Sequence, residues 1–377
     1  MKKIVFLLLF IPLFAFAESM YSPTWGFYLD LPEGYEFVHG DARDRFSFAG
    51  PGGLLFDMVI YNDRYASMPE LIDDVNRRIG NRGETAAFRY RERQAALMKL
   101  IFGNFDGWGL VIELESRTGG RPPMLLALAY GPASRNDLEL FHISALDSIC
   151  PTAADRRYPG PVIEYSYPRG EAKSVPLAVA GVSAMIREND ATAAQTLIER
   201  EFYILQHYID SPNWKEAWIR YYQFIYRDSY DRIATAASAL ARNFGWRAAF
   251  SDEEKRAFSQ KVLGFVQGFR YERDLNGSDF VNLVTAITEG RGDCDSRAML
   301  FAIVLANTNI RSAIMLSRQY SHAMGLADVT GAGARFESYE TRWLVAETVA
   351  NVDIGLIAQD ISDPQYWLGV VFEYQDE

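Results

Sequence analysis

The chain has 377 residues, 49% hydrophobic and 23% charged, the composition of a globular protein long enough for two domains. Its net charge of −11, with no lysine- or arginine-rich block, argues against nucleic acid and anionic membrane as partners. No paired His/Cys spacing fits zinc, so no metal and no cofactor are implied.

Lys2 and Lys3 precede an apolar run from Ile4 to Phe16, and Ala15-Phe16-Ala17 has the small-residue form of a cleavage site. The run falls short of the ~20 residues that span a bilayer. Residues 1–17 therefore read as a signal peptide. The mature protein reads as exported, periplasmic or extracellular, with no membrane span.

Residues 18–152 form a first unit. Trp25, Phe27, Leu29 and Leu31 alternate as a half-buried strand does, and Leu55 to Tyr61 is a second strand. Ser67-Met68-Pro69-Glu70 has the form of a capping box. Leu71, Ile72, Val75 and Ile79 then keep helical period, and Gly80 sits where the helix should end. Strands follow at Ala87 to Arg91, Trp108 to Leu114 and Met124 to Tyr130, then a helix from Asn136 to about Ile149. The expected fold is α+β, a mostly antiparallel sheet with helices packed on it. This order of elements resembles small sandwich domains of the PsbP/Mog1 type.

Residues 153–170, rich in proline, glycine and tyrosine, read as a linker or crossing segment. The second unit, 171–377, opens with a small apolar stretch, Val175 to Ile186, that reads as a strand. Asp190 stands where a cap would. Ile198, Phe202, Leu205 and Ile209 then mark a buried helical stripe. Trp214 to Tyr226 is helical, its rings read as core packing rather than a ligand platform. Phe258, Val262, Phe265, Val266 and Phe269 mark a further helix ending near Tyr271, and Asp279 to Ile287 a short one.

Gly292-Asp293-Cys294-Asp295-Ser296 follows a polar turn and leads into the apolar run Ala298 to Leu305. Asp293 reads as N-cap and Cys294 as the first helical residue. Cys294, Ala298, Phe301, Ala302 and Leu305 then share one face. The unpaired first-turn N–H groups and the helix dipole favour a thiolate and can hold an oxyanion. Asp293 and Asp295 oppose that activation, so an imidazolium partner is needed. His322 is the one histidine of this stretch. Trp343, Val345 and Glu347 share a strand face, and Glu347 is the carboxylate to orient His322, with Asp328 and Asp353 as fallbacks. Cys150 closes a helix before Pro151, whereas Cys294 opens one. A disulfide between them would silence the thiol, and a chain of this length needs no staple, so both are expected free.

The run Gly292 to Ala298 resembles the cysteine motif of the transglutaminase-like superfamily, in particular its bacterial exported cysteine-peptidase-like members. Val266-Gln267-Gly268-Phe269-Arg270-Tyr271 resembles the helix before that motif, and the order Cys, His, acid also matches. The resemblance covers roughly Phe258 to Gly355. It implies a papain-like core, about residues 256–357, in which the helix bearing the nucleophile packs on an antiparallel sheet that supplies histidine and acid. Cys294 and His322 carry over directly. Gln267 stands as an oxyanion donor, as a glutamine does in papain-like enzymes, against the reading of a plain helix-surface residue. Two departures stand out. The family usually has aspartate where this chain has Glu347, and the aromatic common after the histidine is replaced by Ala323-Met324-Gly325.

The expected function is therefore an exported thiol-dependent acyl-transfer enzyme that hydrolyses amide bonds of an envelope peptide or protein, or transfers the acyl group to an amine. The alternative is a non-catalytic binding or envelope-assembly module on the same fold. The sequence leaves the acyl acceptor and the oligomeric state open.

Overall fold

The computed structural model describes residues 20–116, 119–247, 250–273 and 277–372; the expected signal peptide, residues 1–17, lies outside them. The fold is mixed α+β, with a seven-stranded and a five-stranded antiparallel sheet. None of its described helices is long and apolar enough to cross a membrane.

A short pairing of β1 (Met20–Tyr21) with β2 (Tyr28–Leu29) starts the chain. The strand expected across Trp25 to Leu31 is reduced to those two residues of β2, although Phe27 and Leu29 are buried against the sheet as the alternation required. The large sheet comprises β3 (Glu36–Gly40), β4 (Arg45–Ala49), β5 (Leu55–Tyr61), β6 (Thr85–Tyr90), β7 (Arg93–Phe102), β8 (Phe105–Glu113) and β9 (Met124–Pro132), in the order β3-β4-β5-β9-β8-β7-β6. Helix α1 (Met68–Ile79) covers one face through Leu71, Ile72 and Val75, against Ala96, Met98, Leu100 and Val111. The Ser67 hydroxyl accepts from Glu70 N–H, and Gly80 closes α1 at φ +65°, a conformation that costs glycine no Cβ clash. Helix α2 (Glu139–Asp147) covers the other face, where Ala145 and Leu146 meet Leu110, Ile112 and Leu125. Strand β7 escapes a search for alternation because Ala95 and Leu97 point to one packed layer while Ala96, Met98 and Leu100 point to the other.

The stretch expected to link the two units carries a 3-10 turn (Ala153–Arg157) inside a Thr152–Asp155 capping box, then helix α3 (Pro161–Ser166). The Asp147 carboxylate accepts from the N–H groups of Val162 (2.7 Å) and Ile163 (3.1 Å) and so caps α3 from α2. The same carboxylate pairs with Arg200 at 2.6 Å.

Val175 to Ile186 is a hairpin rather than one strand: β10 (Ala172–Pro176) and β11 (Ser183–Arg187) pair around a turn with Val179 and Gly181 at positive φ. Helices α4 (Asp190–Gln206), α5 (Trp214–Arg232), α6 (Ala234–Asn243) and α7 (Asp252–Gln267) follow. Short β12 (Arg270–Tyr271), α8 (Leu283–Glu289) and β13 (Arg291–Gly292) lead into α9 (Cys294–Ala306). The small sheet is β14 (Ser312–Ser317), β15 (His322–Ala327), β16 (Arg335–Ser338), β17 (Thr341–Ala346) and β18 (Leu368–Val371), ordered β16-β17-β15-β14-β18. Helix α9 is buried on every side from Ala298 to Leu305, packed on β14 and β15 on one side and on α6, α7 and α8 on the others. A Cβ on Gly325 of β15 would stand 2.5 Å from the Phe301 ring, so this glycine sets how closely helix and sheet approach.

Candidate active site

The segment before α9 is fastened residue by residue. Asn282 caps α8 by accepting from Thr285 N–H at 2.9 Å, and Gly290 ends it at φ +67°. Two residues later β13 pairs in parallel with β12, setting Tyr271 opposite Gly292. Asp293 is then the N-cap of α9. Its Oδ1 accepts from Ser296 N–H (2.9 Å) and Ser296 Oγ–H (2.5 Å). Buried Arg297 donates to Gly292 O (3.1 Å) and Phe269 O (2.8 Å), tying the motif to the end of α7.

Cys294 is therefore the first helical residue, as its sequence context requires. It is only 8% exposed, and neither it nor Cys150 forms a disulfide. Its thiol donates to Asp295 Oδ1 at 3.3 Å, while Tyr222 of α5 donates to Asp295 Oδ2 at 2.5 Å. The Ala323 N–H and the Tyr271 hydroxyl both face the sulfur. Burial pushes the thiol far above the ordinary cysteine range, and Asp295 and Asp293 add to the shift; the Ala323 N–H works against it. In the resting protein, burial and carboxylates outweigh the helix start. Both carboxyls are themselves pushed up, first by burial; for Asp293 the charge of Asp295 adds to it. Burial also raises Tyr271, to about 12, with Cys294 the next contributor.

His322 opens β15, opposite Ser317 at the closed end of the β14–β15 hairpin. Its Nε2 lies 2.8 Å from Glu347 Oε2, which leaves Nδ1 free of the carboxylate. Pairing of Gly325 with Ala346 fixes the register that brings the next residue, Glu347, to the histidine. Glu347 Oε1 accepts from Val349 N–H (2.7 Å) and Ala350 N–H (3.3 Å). Burial alone would raise this carboxyl; the bonds from His322, Val349 and Ala350 outweigh it and hold the group below its ordinary value. The fallback Asp328 pairs with Arg311 instead, at 3.2 Å.

Gln267, the oxyanion candidate, is turned elsewhere. Its amide nitrogen donates to Glu347 O (2.8 Å), Ala350 O (2.8 Å) and Val352 O (2.9 Å). Those carbonyls lie in the loop after β17, where Ala350 O also accepts from Val352 N–H at 2.9 Å. Gln267 thus fixes the loop that carries Glu347. An aromatic side chain reaches His322 from far along the chain: Trp367 stands 6.2 Å from the His322 ring, held by its own bond to Ile361 O at 2.8 Å.

Cys294 and His322 line one cavity of about 230 Å³. Its walls include Trp218 and Tyr222 of α5, Leu316 and Arg318 at the end of β14, and the Arg273–Asp279 pair. Sequence reasoning assigned Trp218 and Tyr222 to the core. Their i, i+4 spacing gave the only hint that one face of α5 continues to the cavity. Trp367 and Arg318 carried no motif, and Tyr271 stood only as the last residue of the run that resembles the helix before the cysteine motif. Asp293, Cys294 and Asp295 also form the one grouping among the described residues whose ligand atoms lie close enough (within 4.8 Å) to hold a cation. Ser296 and Tyr222 already occupy its carboxylates.

No family model and no curated protein matches the chain. Among solved structures it is similar to cyanobacterial PsbP (CyanoP) from Synechocystis sp. PCC 6803, in solution, at 12% identity. That match covers 36% of this chain and 92% of the other, at a TM-score of 0.27, too low to carry an argument about function.

Proposed function

We propose that the chain is an exported, thiol-dependent acyl-transfer enzyme built on a transglutaminase-like core, hydrolysing amide bonds of a peptide or protein in the cell envelope. The observation that supports this most is the 2.8 Å contact of His322 with Glu347, in a cavity that also exposes the sulfur of Cys294 at a helix start. In this reading His322 Nδ1 accepts the thiol proton as the S–C bond to the acyl carbon forms. The transfer is concerted with attack because the resting thiol is held protonated. The oxyanion accepts hydrogen bonds from the Cys294 N–H and from the Tyr271 hydroxyl. Glu347 stabilises the imidazolium, which then protonates the leaving amine as the C–N bond breaks. Water, losing its proton to His322, attacks the thioester and releases acid and thiol. An amine in place of water gives transamidation.

A peptide-directed acrylamide or epoxide probe tests the reading. Wild type should be labelled at Cys294 faster than free cysteine, and His322→Ala should lose the excess. Labelling no faster than free cysteine sinks the proposal. That outcome would favour the second reading, a binding or envelope-assembly module with an idle triad, to which the buried, Asp295-bound thiol already lends some support.

A further inference from the structure

The cavity beside Cys294 has an uneven charge lining. Asp293 is committed to Ser296, and Asp295 to Tyr222 and the thiol. Arg273 directs two of its nitrogens at Asp279, so that pair is mutually neutralised. Arg318 differs. Its Nη1 donates to Ile209 O at 3.2 Å, and its nearest carboxylate, Asp210, is 4.0 Å away and 97% exposed. A pair of that length in open solvent contributes little. The Arg318 side chain is itself 54% exposed, with its Cζ 5.9 Å from the Trp214 ring centroid. Trp214 packs edge-on against Trp218, 5.6 Å away, and Trp218 lines the cavity. The cavity rim thus presents a guanidinium aimed by an aromatic shelf, with donor capacity no described residue fills. An arginine fork in this state matches the two oxygens of a carboxylate.

We infer that Arg318 selects the substrate: the cavity takes peptides that present a carboxylate beside the bond held over Cys294, with the adjoining aliphatic part of the peptide against Trp218. This deepens the proposed function and rests on it for the chemistry, but the recognition can be read without turnover. The carboxylate has two possible sources, an acidic side chain or a free peptide end.

Isothermal titration calorimetry on the full-length Cys294→Ala protein, which lacks the nucleophile, separates them. Three ligands suffice: acetyl-Ala-Glu-Ala-amide, acetyl-Ala-Gln-Ala-amide, and acetyl-Ala-Gln-Ala with a free carboxylate. One of the two anionic peptides should bind about tenfold or more tighter than the neutral one, the scale of one charge-assisted bond. The winner names the source. Adding Arg318→Gln should erase that preference without changing affinity for the neutral peptide, and Arg318→Lys should restore part of it. Equal binding of all three peptides, no saturable binding of any, or a preference that survives Arg318→Gln would overturn the inference. Failure of the acyl-transfer reading shows separately, as loss of probe selectivity at Cys294 while the calorimetric preference persists.

Discussion

The acid of the proposed triad is a glutamate, one methylene longer than aspartate, and the chain accommodates it by placing it just beyond the end of β17. There its Oε1 is gripped by two backbone N–H groups while Oε2 faces His322. Glu347→Gln keeps the shape and loses the charge. We expect kcat to fall by about 10² to 10⁴, with the far-UV spectrum unchanged, because an uncharged partner neither fixes the tautomer nor stabilises the imidazolium. A loss below tenfold would remove Glu347 from the mechanism. Its folded pKa is depressed, so its contribution to stability is present above the unfolded value and is lost as pH falls through the folded one. The acid limb of the pH–rate profile should therefore contain a Glu347 component that Glu347→Gln lacks. Tyr271→Phe retains the ring that Arg297 approaches at 5.5 Å and removes only the hydroxyl. Removing one oxyanion donor predicts a kcat loss of about 10² with KM steady. A change in KM alone would assign Tyr271 to binding.

At the scale of elements, what the sequence made legible is what is local. The N-cap at Asp293, the cap at Ser67, the left-handed Gly80 and the apolar length of α9 each depend on neighbours a few residues away, and each is found where the pattern set it. The approach of Glu347 to His322 was expected from strand alternation, and the 2.8 Å contact is found. Neither reading of Gln267, oxyanion candidate or plain helix-surface residue, foresaw its bonds, because a helix-end amide is steered by a loop some eighty residues on, which no local pattern encodes. Strand β7, buried on both faces, carries no period to read. Two substitutions test these elements. Gly325→Ala drives a Cβ to 2.5 Å from Phe301, and overpacking of this kind costs about 1–3 kcal/mol. Its urea midpoint should drop accordingly; an unchanged midpoint would show that α9 slides freely on the sheet. Gln267→Ala frees three carbonyls of the 347–352 loop. It should lower kcat and Cys294 labelling together, because both run through Glu347 and His322, and should add nothing in the Glu347→Gln background. A further loss of labelling in that background would restore Gln267 to the thiol's own surroundings.

Across the whole molecule, helix α2 on the large sheet and helices α4 and α5 of the second half are joined through a buried polar seam. Arg220 of α5 donates to Glu201 (2.9 Å) and to Ser144 Oγ (2.8 Å), and Arg200 of α4 reaches Asp147 of α2. Removing one charge from such a network leaves its partner buried and uncompensated. Glu33 sits at the edge of this seam, 3% exposed, with Tyr208 donating to its backbone carbonyl and no partner for Oε1 among the described residues. Burial pushes its carboxyl from 4.5 up to about 7, against the opposing pull of Arg220. Below pH 4.5 the folded and unfolded chains both hold this proton. Between 4.5 and about 7 the folded chain keeps a proton that the unfolded chain has released, so stability falls as pH rises across that window and levels off above it. The drop is about 3 kcal/mol at most, from 1.36 kcal/mol per unit. Glu33→Gln is neutral at every pH and escapes it. Urea unfolding at pH 5 and pH 8 should therefore show the variant gaining on wild type as pH rises. A difference between the two proteins that stays constant from pH 5 to 8 would mean that Glu33 is ionised in the folded seam. Arg220 would then balance it fully, and the junction between the two halves would be indifferent to pH in this range.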